Sequence, residues 1–348
     1  MSKKLVLCAD GTWNTPRGYE VAVNDTNVRK IFRALVADEI QQPFYDSGVG
    51  INGTPIDHLA GGAMGEALFQ KVQECYRILI RAWSPGSSVY LFGFSRGAYT
   101  VRSLGSMIAL FGVPTKNLDN QAVVRVFAAY RERDPEKRAA MKYALEQQYD
   151  IQDAGVRMIG VWDTVGSLGI PGLLFEDFDE YRYGFLDTAL HPRVENAYHA
   201  VSIDERRRQF EPTLWTNPDG SDRVNDAQMQ QVWFPGVHCD VGGGYSPCDL
   251  SDIPLAWVMR KAMECGLTFT QKAMEKYLPV DPRKVAAVAH DEWKQVPWGA
   301  PKHRIVPPRS FIANSVQARL DQVPEYQPSN LNLANRTLQG YGITDVMR

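Results

Sequence analysis

Short apolar runs without strict alternation recur along the chain, and most are followed by stretches whose apolar positions fall three and four residues apart. Lys4 to Ala9 reads as a buried strand, and Asp10-Gly11-Thr12-Trp13-Asn14 as the loop that leaves it. Asn24 to Ala37 reads as a helix capped by Asn24 or Asp25, with Val28, Ile31, Phe32 and Leu35 on one face. Gln42 to Tyr45 is a short strand and Asp46 to Gly65 a glycine-rich loop. Gly65 to Trp83 is a long helix, with Leu68, Val72, Cys75, Tyr76, Leu79 and Ile80 at helical spacing. Ser88 to Phe92 is a strand and Tyr99 to Leu110 a helix; Asn120 to Gln148 divides into two helices near Asp134-Pro135. Val156 to Val161 is the next buried strand, and Thr164 to Leu190, rich in glycine and aromatic residues, a loop over a site. Val194 to Ser202 reads as helix, Gln231 to Val237 as strand and Ile253 to Cys265 as helix.

Strands without polar alternation are buried on both faces, so their alternation with helices predicts an α/β fold: a mostly parallel sheet with helices on both faces. From Thr268 to Arg348 the chain is proline-rich and regular signals thin out. This tail either caps the sheet or covers the active site. Residues 1–348 are read as one domain, with a core over about 4–266 and the extension 267–348 packed on it.

Composition narrows the function classes. The 348 residues are 44% hydrophobic and 22% charged, with a formal net charge of -2, the balance of an ordinary globular enzyme. Nothing draws the chain as a whole toward nucleic acid or an anionic membrane. Basic clusters at Arg206-Arg207-Arg208 and Arg131 to Arg138 are interleaved with acids and read as solvated helix faces. Five cysteines, odd in number and scattered, suit a reducing compartment. The N-terminal apolar run is too short for a signal peptide, and no stretch has the length of a transmembrane segment. The expectation is a protein that stays cytoplasmic or is exported by a Sec-independent route.

The chemistry concentrates at strand ends. Gly93-Phe94-Ser95-Arg96-Gly97 lies between a strand and a helix, the context of a nucleophile elbow. There the serine takes a cramped backbone conformation and the elbow glycines Gly93 and Gly97 leave room for it. The competing reading is a tight turn whose serine merely caps the helix. Asp163 ends the strand Val156 to Val161, and His238 follows Gln231 to Val237. The order Ser95, Asp163, His238 is that of α/β-hydrolases. In that arrangement His238 takes the serine proton and Asp163 fixes its tautomer. Asp240, Asp177 and Asp187 compete for the acid's role; Asp240 is too close to His238 in sequence. The oxyanion would be met by the backbone N–H of Arg96 and by that of Gly11 or Thr12. Asp10 and Trp13 in the same loop, with Asp240 and Tyr245, are candidate pocket or loop residues. Asp10 reads equally as a turn residue bonding its own backbone. An ion held by Asp10, Asp163 and Asp240 would suit a metal-dependent phosphoric-ester hydrolase, but no known ligand spacing supports it. The reading therefore assigns no metal and no cofactor. A non-catalytic interaction module on the same fold is the other alternative. Val241-Gly242-Gly243-Gly244-Tyr245 lacks the spacing of a nucleotide-phosphate loop and reads as a flexible turn that lets the histidine loop fold over Ser95.

Four segments in this order, Cys8 to Asn14, Gly93 to Ala98, Gly160 to Gly166 and Pro235 to Tyr245, together resemble the catalytic domain of the type VI secretion phospholipase effectors. His199 to Arg206 also looks like a family stretch, read here as a structural helix end. The resemblance runs from about Lys4 to Gly266 and implies an α/β-hydrolase-like fold acting as a serine esterase or lipase. Its substrate would be a small-molecule or lipid ester, in the effectors a phospholipid acyl chain. It also implies a type VI secretion or immunity partner if the chain is an effector.

Overall fold

Lys4–Ala9 (β1) is apolar from its second residue on, and its side chains part to two sides: Leu5, Leu7 and Ala9 enter one packed layer, Val6 and Cys8 the other. This double burial is why the run shows no polar alternation. The computed structural model describes residues 2–11, 25–48, 61–166 and 189–348, apart from the side chains of 61–65, 120, 296 and 297. Among these, the main sheet continues with Gln41–Asp46 (β2), Ser88–Phe94 (β3), Gly155–Trp162 (β4) and Ala197–Ser202 (β5). Met229–Phe234 (β6), Phe311–Ala313 (β7) and Gly342–Thr344 (β8) complete it. Its eight strands run in the order β8-β7-β6-β5-β4-β3-β1-β2, every neighbouring pair parallel.

Helices Asn27–Ala34 (α1), Gly61–Ala82 (α2), Arg96–Phe111 (α3), Asn120–Arg131 (α4) and Pro135–Tyr149 (α5) precede β4. His238–Gly242 (α6), Asp249–Glu264 (α7), Gln271–Tyr277 (α8), Gln295–Trp298 (α9) and Asn314–Gln322 (α10) follow β6. One layer takes α2 to α5, the other α1, α7, α8 and α10. The chain leaves β1 for β2 on one side and then crosses to β3 on the other. The strand order thus reverses at β1, and in open parallel sheets ligands bind at the carboxyl ends of the strands at such a point.

Several expectations need correction. Val194 to Ser202 is not helical: Ala197–Ser202 is a strand between β4 and β6 with all six residues buried. Its apolar residues happen to fall at helical spacing, but a position between two strands satisfies both edges of its backbone, and tertiary pairing decides. Of the Arg206–Arg208 cluster, Arg208 alone is exposed, opening a single 3-10 turn, whereas Arg207 is buried. Thr26, not Asp25, caps α1 by accepting the Arg29 N–H. Asp134 caps α5 with Pro135 as its first residue, as the helix break there requires. The proline-rich tail supplies β7 and β8 to the sheet edge and α8 and α10 to one layer. Thr12, Trp13, Asn24, Asp177 and Asp187 lie outside the described residues. All five cysteines are free thiols, and no described helix is long and apolar enough to cross a membrane.

Candidate active site

Ser95 joins β3 to α3 at φ 56° and ψ -121°, a conformation that side chains other than glycine's rarely adopt. Its N–H donates to Trp162 O on the adjacent strand (3.1 Å). The turn closes so tightly that a Cβ on Gly93 would lie 2.5 Å from Gly97 O, and one on Gly97 only 2.1 Å from Ala9 O. The second contact seats the elbow directly on the end of β1. Ser95 does not cap α3 through its side chain, which sets aside the simpler reading of the motif. Its hydroxyl makes no hydrogen bond among the described residues. Catalytic contacts in ligand-free sites commonly tighten only with substrate.

Asp163 follows β4 at φ 39° and is fully buried. His238 opens α6 just beyond β6, buried between the rings of Phe94 (4.5 Å) and Phe210 (4.9 Å). Phe94 is the residue before Ser95, so the imidazole sits beside the elbow. Gly242 permits this approach, since a Cβ there would lie 1.9 Å from the Phe94 ring; packing, rather than flexibility, accounts for a glycine at this position. His238 Nδ1 lies 2.5 Å from Asp163 Oδ2. A buried carboxylate can only accept here, so Nδ1 carries the proton and Nε2 keeps its lone pair.

Two ion pairs absent from the sequence reading surround this dyad. Arg304, buried and from the tail, grips both Asp163 oxygens at 2.6 and 2.9 Å. Glu205, after β5, accepts the His238 backbone N–H (3.3 Å) and holds Arg207 through two side-chain hydrogen bonds of 2.9 and 2.8 Å. Arg207 in turn lies 3.7 Å from the Phe210 ring centre. Burial alone would raise the pKa of Asp163; the Arg304 charge and the bond from His238 override it and hold the carboxyl well below its usual range. For His238 burial wins over the Asp163 attraction, and the ring is pushed below the ordinary histidine value.

His199, read as part of a structural helix end, is instead a buried acceptor within β5. Its Nε2 takes the Thr164 N–H (3.1 Å) while Nδ1 faces Gln231 Oε1 (3.2 Å), fixing the backbone just past Asp163. Burial first, then the Arg102 charge, lowers its pKa to about 3, so it stays neutral.

The remaining predicted residues divide. Asp10 is buried and accepts the Gly11 N–H (2.8 Å), the Thr26 hydroxyl (2.6 Å) and the Tyr45 hydroxyl (2.7 Å). It thus ties the loop after β1 to α1 and β2, the turn role weighed for it above. The Gly11 amide is engaged by this carboxylate, whereas the Arg96 amide lies in the first turn of α3, where the helix supplies no acceptor. The Arg96 side chain, part-buried beside Ser95, forms no ion pair among the described residues, and burial lowers its pKa to about 10. Asp240 pairs with His290 Nδ1 (2.6 Å), not with His238, and accepts the Val237 N–H (3.1 Å). Tyr245 stacks on His290 at 4.3 Å. Asp10, Asp163 and Asp240 therefore each serve different partners. No group of three or more metal-ligating side chains gathers among the described residues.

Comparison with known proteins adds a family. The model described as "T6SS, Phospholipase effector Tle1-like, catalytic domain" matches residues 3–261. The uncharacterized protein YEL023C of Saccharomyces cerevisiae is 25% identical over 242 residues, covering 62% of this chain and 33% of that protein. Among solved structures, the Tle1 effector bound to the VgrG spike of the type 6 secretion system is similar with a TM-score of 0.43 and 17% identity, over 70% of this chain and 51% of that one. An uncharacterized protein from Pseudomonas aeruginosa gives 0.48 and 16%, over 79% and 48%. The chain spans a third of the yeast protein's length and about half of each solved chain.

Proposed function

The chain belongs to the Tle1-like phospholipase effector family of type VI secretion, through its catalytic domain, and from that premise we propose a serine hydrolase that cleaves the acyl esters of phospholipids. Ser95 is the nucleophile. His238 Nε2 removes its proton as the oxygen adds to the ester carbonyl, and Asp163 holds Nδ1–H and stabilises the imidazolium that results. The Arg96 amide, at the positive end of α3, donates to the oxyanion. Collapse of the tetrahedral intermediate expels the alcohol, which takes the proton from His238. Water, deprotonated by the same imidazole, then releases the fatty acid from the acyl-enzyme.

The observation that carries this reading is the 2.5 Å His238–Asp163 contact, with the imidazole packed on Phe94, the residue before a serine held at positive φ. Arg96 supports the substrate class: a part-buried guanidinium with no described carboxylate partner suits a phosphodiester next to the scissile ester. The test is hydrolysis of dibutyrylphosphatidylcholine and of p-nitrophenyl butyrate, with and without chelator. Activity on both that survives chelation and disappears in Ser95→Ala is expected. Chelator-sensitive turnover that persists in Ser95→Ala would instead favour metal-dependent hydrolysis, and no turnover of either ester would favour an interaction module.

A further inference from the structure

Asp163 is held by more donors than orienting a histidine requires. Oδ1 accepts the Ser202 N–H (2.9 Å) and Arg304 Nη1 (2.6 Å); Oδ2 faces His238 Nδ1 (2.5 Å) and accepts Arg304 Nη2 (2.9 Å). The same guanidinium reaches Ser202 O (2.8 Å), Ser202 Oγ (2.6 Å) and the carbonyl of Phe210, whose ring edges His238. Its own backbone is pinned by a second tail residue: Asn330 Nδ2 donates to Arg304 O (3.1 Å) and to Ile203 O (3.0 Å). Arg304 and Asn330 both lie beyond residue 261, where the family match stops.

We infer that Arg304 is a positioning residue for the acid–base pair: its planar fork fixes the Asp163 carboxylate so that Oδ2 meets His238, and its charge offsets that of the carboxylate the imidazole touches. The inference rests on the serine-hydrolase reading above. It makes the tail part of the working site. The charged groups around His238 are Asp163 at the end of β4, Glu205 and Arg207 after β5, and Arg304 from the tail. Asp240, two residues along α6, is taken up by His290. Of these, Arg304 is the cation bound directly to the carboxylate that the ring touches.

The test is the pH dependence of kcat/KM on p-nitrophenyl butyrate for wild type, Arg304→Met and Arg304→Lys. Removing the cation leaves Asp163 uncompensated and favours the imidazolium. Arg304→Met is expected to move the acid limb upward by about half a pH unit or more, with a loss of roughly tenfold or more at the optimum. Added guanidinium ion should restore both. Arg304→Lys keeps the charge without the fork, so its limb should stay in place while its rate falls. An acid limb that does not move in Arg304→Met, with activity that guanidinium cannot rescue, would reduce Arg304 to a structural ion pair. If Arg304→Met does not fold, the lysine variant decides: a rate equal to wild type would overturn the inference. A wild type without Ser95-dependent turnover would count against the serine-hydrolase reading, and the two failures are thereby told apart.

Discussion

The two halves of the site are built on different principles. The half that carries the proposed nucleophile is local: Gly93 to Ala98 form one turn, seated on the end of β1 by contacts too close for any Cβ. The proposed acid–base half is assembled from afar. His238 and Asp163 are 75 residues apart in the chain, and Arg304 reaches Asp163 across 141. Backbone geometry holds the first half and charge holds the second. Substitutions at the elbow glycines should therefore damage shape and rate together, while substitutions in the second half should change rate, pH response and the balance of buried charge.

The sharpest contrast is between the two reacting halves themselves. Ser95→Ala removes the proposed bond-forming atom and is expected to lower kcat by roughly 10⁴- to 10⁶-fold, with the thermal midpoint unchanged. Asp163→Asn should cost about 10⁴-fold in kcat, because an amide favours the wrong imidazole tautomer, and should also lower the thermal midpoint, since buried Arg304 loses its counter-charge. Steady-state kinetics with parallel thermal melts check both. Equal melting behaviour of the two variants would break the distinction between geometry and charge.

Gly97→Ala probes the elbow's shape. The added methyl meets Ala9 O, so the chain must shift at a cost of about 1–3 kcal/mol, and kcat/KM should fall about 10²-fold as the nucleophile is displaced. Denaturant unfolding and kinetics on one preparation measure the two effects. A stable, fully active Gly97→Ala protein would contradict the packing described here.

Arg96→Gln sharpens the substrate assignment. The ratio of kcat/KM on dibutyrylphosphatidylcholine to that on p-nitrophenyl butyrate should drop about tenfold, the value of one charge-assisted contact of roughly 1.4 kcal/mol. An unchanged ratio would remove the argument for a phosphodiester at this position.

The smallest effect concerns the loop that delivers His238. Asp204 accepts the Gly236 N–H at 2.6 Å and the Tyr326 hydroxyl at 3.1 Å, and burial raises its pKa from 3.8 to about 6. Folding therefore favours its protonated form. That contribution is complete below the unfolded value and is lost as pH rises through about 6. Asp204→Asn cannot ionise, so its midpoint of denaturation should change less between pH 4 and 7 than that of wild type. A wild-type slope in the variant would reassign that pH dependence to other groups.

The same division explains what the sequence discloses. The elbow was legible because strand, turn and helix are contiguous and glycine is demanded at fixed offsets. The parallel character of the sheet, though not its strand order, followed from strands buried on both faces. Asp163 and His238 could be nominated because each ends an apolar run, though their meeting depends on the order in which strands pair. Arg304 carried no local signal: in a proline-rich stretch without periodicity, nothing distinguishes a buried arginine from a solvated one. Glu205 and Arg207 were hidden by neighbours of like composition, since an Arg-Arg-Arg run reads as surface until one member is found inside. β5 was misread because a fully buried strand and a helix face can share apolar spacing, and only its two neighbours resolve the ambiguity. The Gly11 amide looked available until the Asp10 carboxylate was seen to occupy it.

The central claim is that Ser95 is the nucleophile activated by His238. Its most direct test is labelling of the wild-type protein and of His238→Ala with a fluorophosphonate probe, followed by mass-spectrometric location of the adduct. A single adduct on the peptide containing Ser95 is expected in the wild type, with greatly slowed labelling in the variant. An adduct on another residue, or labelling at the wild-type rate without His238, would contradict it.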